Sequence, residues 1–321
     1  MSARTLIQNA LTEADAPAVL TAFRAAFGHD RSPAEHVWRY HANPAGRLAR
    51  IAYDGDQVAA MVAALPTHGW MDGQPLILAQ GTDTFVHPDH RRGLAKSGVL
   101  AQVGEAFFDD HAEDVALYFG WPVQGYRRAG SRMFGFERLG RQMALVREGT
   151  RAVASSIAVH ADPELDERVT WLGERCLAEW GLATLRNADW FRWRYLARPE
   201  TNYSILAVGD ASALEGMCVW RPVPWGDTTV ACIVDWLVPP EATEVGEALL
   251  DAVDAAAHEA GLATVALWMP AWSPWFAWFT DQGFWLTPTE AETVVRTQHP
   301  RIDLERLRDG WWYQLGDSDL V

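Results

Sequence analysis

Cysteine is scarce in this 321-residue chain, which has only Cys176, Cys218 and Cys232. They form no CxxC pair and no Cys/His spacing of a zinc site. An odd trio makes no disulfide framework, so a reducing cytoplasmic setting is expected. No run of about 18 apolar residues is present to span a bilayer. The opening stretch MSARTLIQNALTEADAP has no apolar core of the kind a signal peptide carries. Positive charge is also short, with 27 Lys and Arg against 42 Asp and Glu, a net charge of −15. A phosphate backbone or an anionic membrane rewards clustered Lys and Arg, so the balance argues against nucleic acid and membrane partners and suits a cationic or amine substrate. HExxH, GxSxG, GxGxxG and Walker signatures are absent. His87 and His90 form an HxxH with no third ligand nearby in sequence, and no metal is expected.

Hydrophobic residues at 49% and charged residues at 21% describe a globular protein with enough length for two domains. An amphipathic helix is expected from Thr12 through Val19, Leu20, Phe23 and Phe27, closed by Gly28, and a short one over 34–41. Strands 48–53 and 57–65 flank Asp54-Gly55, and strands 68–71 and 76–86 flank Asp72-Gly73, both hairpin signals. The stretch from Gln80 to Phe108 then combines a β-prone run (81–86), a turn rich in proline, histidine and arginine (87–92), and a helix-patterned run with Val99, Leu100, Val103 and Phe107 on one face. A helix N-terminus has free N–H groups and the positive end of the dipole, so a strand, basic turn and helix in this order suit a phosphate. A buried strand (115–121) and a helix (125–133) follow, ahead of Gly135-Phe136.

The run VHPDHRRGLA, Val86 to Ala95, resembles the coenzyme A pyrophosphate loop of the GNAT superfamily of acyl-CoA-dependent N-acyltransferases. That family shows Arg or Gln, two residues, Gly, one residue, then Gly or Ala. Gly93 and Ala95 match, His90 stands at the first position, and the run from Pro88 to Gly93 is one residue shorter than is common. The order ββ, β, loop, helix, strand, helix is also the family's.

The chain then starts again. Trp38-Arg39-Tyr40, followed by Ala42, Asn43 and Pro44, recurs as Trp193-Arg194-Tyr195, followed by Ala197, Arg198 and Pro199. Gly55-Asp56 with Met61 recurs as Gly209-Asp210 with Met217, and Gly135-Phe136 as Gly283-Phe284. Between them a strand (231–238), a helix (245–261) and a strand (263–269) are expected. An offset of about 155 residues signals duplicated domains rather than a solenoid. The resemblance therefore implies an α/β (α+β) protein of two tandem GNAT-like domains, 1–150 and 151–321 across a linker region at 147–168, each with a mixed, mostly antiparallel sheet flanked by helices. The second copy has Pro239-Pro240-Glu241-Ala242-Thr243-Glu244 where the first has its basic turn. Glutamates there repel a pyrophosphate, so one coenzyme site per chain is expected.

The resemblance implies an N-acyltransferase that moves an acetyl group from acetyl-CoA to an amine of a small molecule or peptide. Backbone around Phe85 and Val86 would hold the pantetheine arm in a splayed gap, and Arg91, Arg92, Gly93, Leu94, Ala95, Lys96 and Ser97 the pyrophosphate. Asp83, a carboxylate in an apolar strand, is the candidate base, with burial raising its pKa. Its plainer reading is a residue bonding a neighbouring loop. Strand alternation places it opposite Thr82 and Thr84. The family's acid is a tyrosine four residues before the Gly of Gly-Phe, a position held here by Ser131, and Tyr126 in the same helix is the candidate replacement, with water or a packing role as alternatives. The rival functions are a non-catalytic tandem GNAT protein that binds an acyl-CoA or a protein, and a relative that moves aminoacyl or long acyl groups. A homodimer is compatible with each. The Trp272, Trp275 and Trp278 series reads as core or interface, and Trp311-Trp312-Tyr313 as a last strand returning to the sheet.

Overall fold

The computed structural model describes residues 6–91, 98–152 and 155–320. In chain order the elements are β1 (Ile7–Ala10), α1 (Ala16–Phe27), α2 (Pro33–Tyr40), β2 (Leu48–Asp54), β3 (Gln57–Met71), β4 (Gln74–Val86), α3 (Val99–Asp110), β5 (Val115–Gly120), α4 (Gln124–Phe134) and β6 (Glu137–Glu148). They continue with β7 (His160–Ala161), α5 (Glu167–Leu177), β8 (Leu182–Thr184), α6 (Ala188–Phe191), β9 (Ser204–Gly209), β10 (Leu214–Trp225), β11 (Thr228–Leu237), α7 (Thr243–Glu259), β12 (Thr264–Leu267), α8 (Pro274–Asp281), β13 (Trp285–Thr297), α9 (Leu304–Gly310) and β14 (Trp311–Trp312). A mixed, mostly antiparallel sheet flanked by helices is thus the architecture. Among the described residues no helix is long and apolar enough to cross a membrane.

The chain folds into two compact units that are discontinuous in sequence. One comprises Met1–His68, Leu76–Gly140 and Ala291–Asp303, the other Gly69–Pro75, Arg141–Glu290 and Leu304–Val321. A single cut between 150 and 151 does not follow this division, because each unit contains a strand that lies far away in sequence.

In the first unit the strand order is β1-β2-β3-β4-β5-β13. β1, β2 and β3 pair antiparallel, β4 and β5 pair parallel, and β5 is closed by antiparallel β13 through Val294↔Gly120 to Thr297↔Leu117. A parallel pair needs a crossover of a dozen residues or more, which α3 supplies. β3 is central and buried on both faces, which explains its unbroken apolar run from Val58 to Leu65. Its Ala60, Val62 and Ala64 face the cluster with Val103, Phe107, Phe108 and Phe134, whereas Met61 and Ala63 face the cluster with Val19, Phe23, Tyr40 and Phe85. The two strands expected over 57–65 and 68–71 are a single strand through Pro66. The Asp72-Gly73 turn has the positive φ at both residues, 50° and 80°, that a tight hairpin demands.

In the second unit the order is β7-β9-β10-β11-β12-β6. β11 and β12 are parallel, α7 crosses between them, and β12 is closed by antiparallel β6 through Thr264↔Glu148 to Leu267↔Leu145. The linker expected from 147 therefore begins beyond Glu148. Trp275 is buried and donates to the Val238 carbonyl at 2.9 Å, with Trp236 and Trp278 ringed around it at 5.3 and 5.0 Å. The final Trp311–Trp312 strand does pair, in parallel with β8.

Candidate active site

The β4/β5 ladder runs from Ile77↔Val115 to Gln80↔Phe119 and ends there. Beyond it β4 continues to Val86, whereas β5 stops at Gly120. The last close approach is glycine against glycine, since a Cβ on Gly120 would sit 3.5 Å from the Gly81 carbonyl oxygen. Past that point the backbone of 82–86 has no β5 partner on this side.

β4 also breaks its own alternation. Asp83 has φ 44°, a left-handed conformation that Asp tolerates better than most residues and that marks a bulge-like kink in a strand. As a result Thr82 and Asp83 both reach α2 and its N-terminal flank, and Thr84 meets Tyr126 instead. Arg39 Nη1 donates to Thr82 Oγ1 at 3.0 Å. Arg31 grips Asp83 with two nitrogens, Nη2 reaching Oδ1 at 2.8 Å and Nη1 reaching Oδ2, and the Tyr40 hydroxyl donates to the same Oδ2. The expected placement of Asp83 opposite Thr82 is corrected by this kink.

The electrostatics of Asp83 are corrected too. Burial pushes its carboxyl upward, but the Arg31 and Arg39 charges and the hydrogen bonds from Arg31 and Tyr40 outweigh that and hold it well below the usual carboxylate range. Its side chain is 6% exposed and both oxygens are engaged. An ionised carboxylate clamped this way is a poor proton acceptor. Tyr40 is correspondingly pushed well above its ordinary value by burial and then by the Asp83 charge.

Arg31, Glu35 and Arg39 complete this frame; the sequence marked Arg39 only as part of the repeated Trp-Arg-Tyr, and Arg31 and Glu35 were not singled out. Glu35 Oε1 accepts from Arg39 Nε at 3.0 Å and from Arg39 Nη2 at 2.9 Å. Ser32 caps α2 by accepting from the Glu35 N–H. One signal was available. Residues 31–40, RSPAEHVWRY, and 186–195, RNADWFRWRY, share Arg at the first position, a capping residue at the second and WRY at the end, so the repeat extends upstream of the tryptophan.

Tyr126 lies in the first turn of α4 and is hydrogen-bonded to Thr84; burial pushes it up to about 12 and the Thr84 bond pulls the other way. It is therefore a protonated phenol at neutral pH, set beside the part of β4 that lies beyond the β5 ladder. Ser131 is exposed. Phe85 packs on Phe23 and Phe27 at 6.4 and 5.9 Å, on the side opposite Tyr126, and Val86 packs on the α3 side. Arg91 Nε and Nη2 donate to the Val86 and Ala26 carbonyls at 3.1 and 2.9 Å, bracing the end of the strand. Arg92, Gly93, Leu94, Ala95, Lys96 and Ser97 lie outside the described residues. His87 and His90 both contact Gln57, at 3.3 and 3.2 Å.

The second unit holds the same frame. Tyr195 donates to Asp235 Oδ2 at 2.7 Å and Arg186 Nε donates to the same oxygen at 2.8 Å. Asp235 sits at the β10/β11 bulge, where Val219↔Asp235 gives way to Trp220↔Ile233. Here, though, Arg186 Nη1 and Nη2 turn to Asp317, at 2.8 and 2.7 Å. Arg194 Nε and Nη2 hold the Gly316 and Ser318 carbonyls at 2.9 and 2.7 Å. Burial and the nearby Asp317 raise the Asp235 carboxyl above its ordinary value despite Arg186.

Residues 9–138 match the profile of a family described as Acetyltransferase (GNAT) domain. No curated protein matches the chain. Among solved structures, the chain is similar to an Enterococcus faecalis protein of unknown function described as a probable N-acyltransferase. The two are 15% identical, with a TM-score of 0.68 over 91% of this chain and 73% of that one. It is also similar to GCN5-related N-acetyltransferases from Kribbella flavida (16% identical, TM-score 0.65, 91% and 71% covered) and Anabaena variabilis (12%, 0.63, 92% and 73%). At such identities the likeness is one of fold.

Proposed function

We propose, from the match of residues 9–138 to the profile of a GNAT acetyltransferase domain, that the protein is an N-acyltransferase carrying an acetyl group from acetyl-CoA to an amine of a small molecule or peptide. The observation that carries this reading is the parting of β4 from β5 beyond Gln80↔Phe119, with Tyr126 held at Thr84 on the freed strand. The edge of β4 that β5 leaves beyond this point suits an amide-bearing pantetheine arm, since backbone N–H and C=O groups call for partners.

Acetyl-CoA supplies a thioester carbonyl and a thiolate leaving group. The amine nitrogen forms a bond to the carbonyl carbon, the carbon–sulfur bond breaks, and the sulfur takes the Tyr126 proton while the nitrogen gives one to solvent. Phe85 and Val86 offer backbone to the arm, and the run from Arg91 to Ser97 holds the pyrophosphate. Asp83 is assigned a positioning role, fixing Arg31 and Tyr40, in place of base catalysis. The second unit is read as a second GNAT-like copy without a coenzyme loop.

Differential scanning fluorimetry tests this. Acetyl-CoA at millimolar concentration is expected to raise the Tm, and Arg91→Ala with Arg92→Ala to shrink the shift. Absence of any shift in the unaltered protein would sink the reading. Thiol release with an amine panel separates the enzyme from a non-catalytic acyl-CoA binder, a rival favoured by the exposed Ser131 at the family's tyrosine position.

A further inference from the structure

One position in the duplicated architecture is filled by opposite chemistry in the two units. In each, a helix precedes a Gly-Phe pair, α4 before Gly135-Phe136 and α8 before Gly283-Phe284, and the first turn of that helix meets the residue that follows the frame aspartate. In the second unit that residue is Trp236, after Asp235, and its partner is Trp275. Their indoles meet edge to face at 5.3 Å, both are buried, and the Trp236 nitrogen has no hydrogen-bond partner among the described residues. Their mutual contact is packing of ring on ring.

In the first unit the residue after Asp83 is Thr84, and its partner is Tyr126. Both are half-buried. The Tyr126 ring packs against the cluster that holds Phe134 and Phe136 and lies across Gly130, where a Cβ would touch its Cε1 at 3.6 Å. With the ring seated there, the hydroxyl meets that of Thr84. Thr84 Oγ1 also donates to the Thr82 carbonyl, at 3.4 Å. A bond that long is weak, so the Thr84 proton is readily redirected. The polar pair thus stands in the copy that carries the basic turn, and the apolar pair in the copy that lacks it.

Acyl transfer makes a particular demand on such a pair. A phenol pushed up to about 12 gives its proton poorly to a thiolate whose own thiol titrates near ~8.5. The transfer is uphill unless the phenolate is stabilised as it forms, and a hydroxyl has both an O–H to give and lone pairs to offer. A hydrogen bond to an oxygen gaining charge is stronger than one to a neutral oxygen.

We propose that Thr84 is a positioning residue, which fixes the Tyr126 hydroxyl beside β4 and turns its own O–H onto the Tyr126 oxygen as the phenolic proton passes to the coenzyme sulfur. The proposal rests on the acyl-transfer reading of the same site. The carbon–sulfur bond breaks, the sulfur takes the Tyr126 proton, Thr84 keeps its own, and Tyr126 regains a proton from solvent after coenzyme A leaves.

Thr84→Val tests this by removing the hydroxyl while keeping a β-branched residue suited to a strand, and Thr84→Ser restores the hydroxyl. With acetyl-CoA and an amine that supports thiol release, Thr84→Val is expected to lower kcat about tenfold through loss of a bond to a charged oxygen, with the acetyl-CoA KM unchanged. Thr84→Ser should keep most of kcat. In a Tyr126→Phe background Thr84→Val should cost nothing further, because its effect runs through the phenol. A readout that needs no turnover is fluorine NMR of protein carrying 3-fluorotyrosine, a more acidic phenol, with the resonance of position 126 identified by its loss in Tyr126→Phe. Its titration midpoint should rise by about one unit in Thr84→Val, the counterpart of a tenfold loss, and return in Thr84→Ser. Additive losses of kcat in the two backgrounds, as a merely structural role would give, or an unmoved titration at 126 would overturn the proposal while leaving acyl transfer intact. If acetyl-CoA gives no thermal shift in the unaltered protein, the acyl-transfer reading itself fails, and the role of Thr84 falls with it.

Discussion

At the scale of single residues, the second unit serves as a template for the first. His36 occupies the position of Phe191 (191 − 36 = 155), and its ring meets Tyr40 at 5.2 Å and 58° much as Phe191 meets Tyr195 at 5.4 Å and 61°. The seat is built for a phenyl ring. His36 is 1% exposed and neither nitrogen has a hydrogen-bond partner, a state that costs about 1–3 kcal/mol per unsatisfied group. Burial, then the neighbouring His41 and Arg31, push its pKa from 6.5 to about 4, with Asp83 pulling the other way. Above 6.5 it is neutral whether the chain is folded or not. As pH falls from there toward 4 the unfolded chain takes the proton first, so stability is lost with a slope approaching about 1.4 kcal/mol per pH unit. His36→Phe should therefore raise stability by about 1 kcal/mol at neutral pH and flatten the acid limb between 6.5 and 4. Urea unfolding at several pH values measures both, and an unchanged acid limb would show that His36 is not its source.

Secondary elements show which parts of the fold local chemistry could announce. The Asp72-Gly73 hairpin was legible because its two positive-φ residues are written side by side. So were the Gly135-Phe136 and Gly283-Phe284 helix ends, where left-handed glycines at φ 69° and 87° let Phe136 and Phe284 return their N–H groups to Gly130 and Phe279. Asp83 was visible as an odd carboxylate in a strand, but its partners were not, since Arg31 lies 52 residues away and Tyr40 lies 43. The crossover helices carry a feature that only packing reveals. A Cβ on Gly104 of α3 would overlap the Phe134 ring of α4, and one on Gly246 of α7 would press the Trp275 indole of α8 at 2.5 Å. Each helix lets the next one close by leaving out a side chain. Gly104→Ala should destabilise by about 1–3 kcal/mol through overpacking, although alanine gains about 1 kcal/mol in helix propensity. Pairing it with Phe134→Leu should recover part of the loss in a double-mutant cycle, and strictly additive losses would place the strain elsewhere.

Over the whole molecule, the repeat announces two similar halves, yet the units are not the halves. β6 follows the first copy in sequence and closes β12 of the second unit, while β13 follows the second copy and closes β5 of the first. Pairings between strands so far apart leave no local mark, and for that reason the boundary read at 150 misses them. The exchange has an energetic consequence. β5 carries Val115, Leu117, Tyr118 and Phe119, all buried, and β13 protects its edge with Val295 buried in the ladder, Thr293 accepting from the Trp121 indole at 3.0 Å, and Arg296 lying over Phe108 at 4.1 Å while donating to the Phe134 carbonyl. A fragment ending at residue 150 keeps β5 but loses β13, exposing an apolar strand edge with unpaired N–H and C=O groups, the usual template for aggregation. Fragment 1–150 alone should give no cooperative thermal transition and should self-associate at micromolar concentration, whereas co-expression with fragment 151–321 should restore a soluble complex with one transition. A monomeric 1–150 that unfolds cooperatively on its own would show that the exchanged strand is dispensable, and that each copy carries in its own sequence all that it needs to close its sheet.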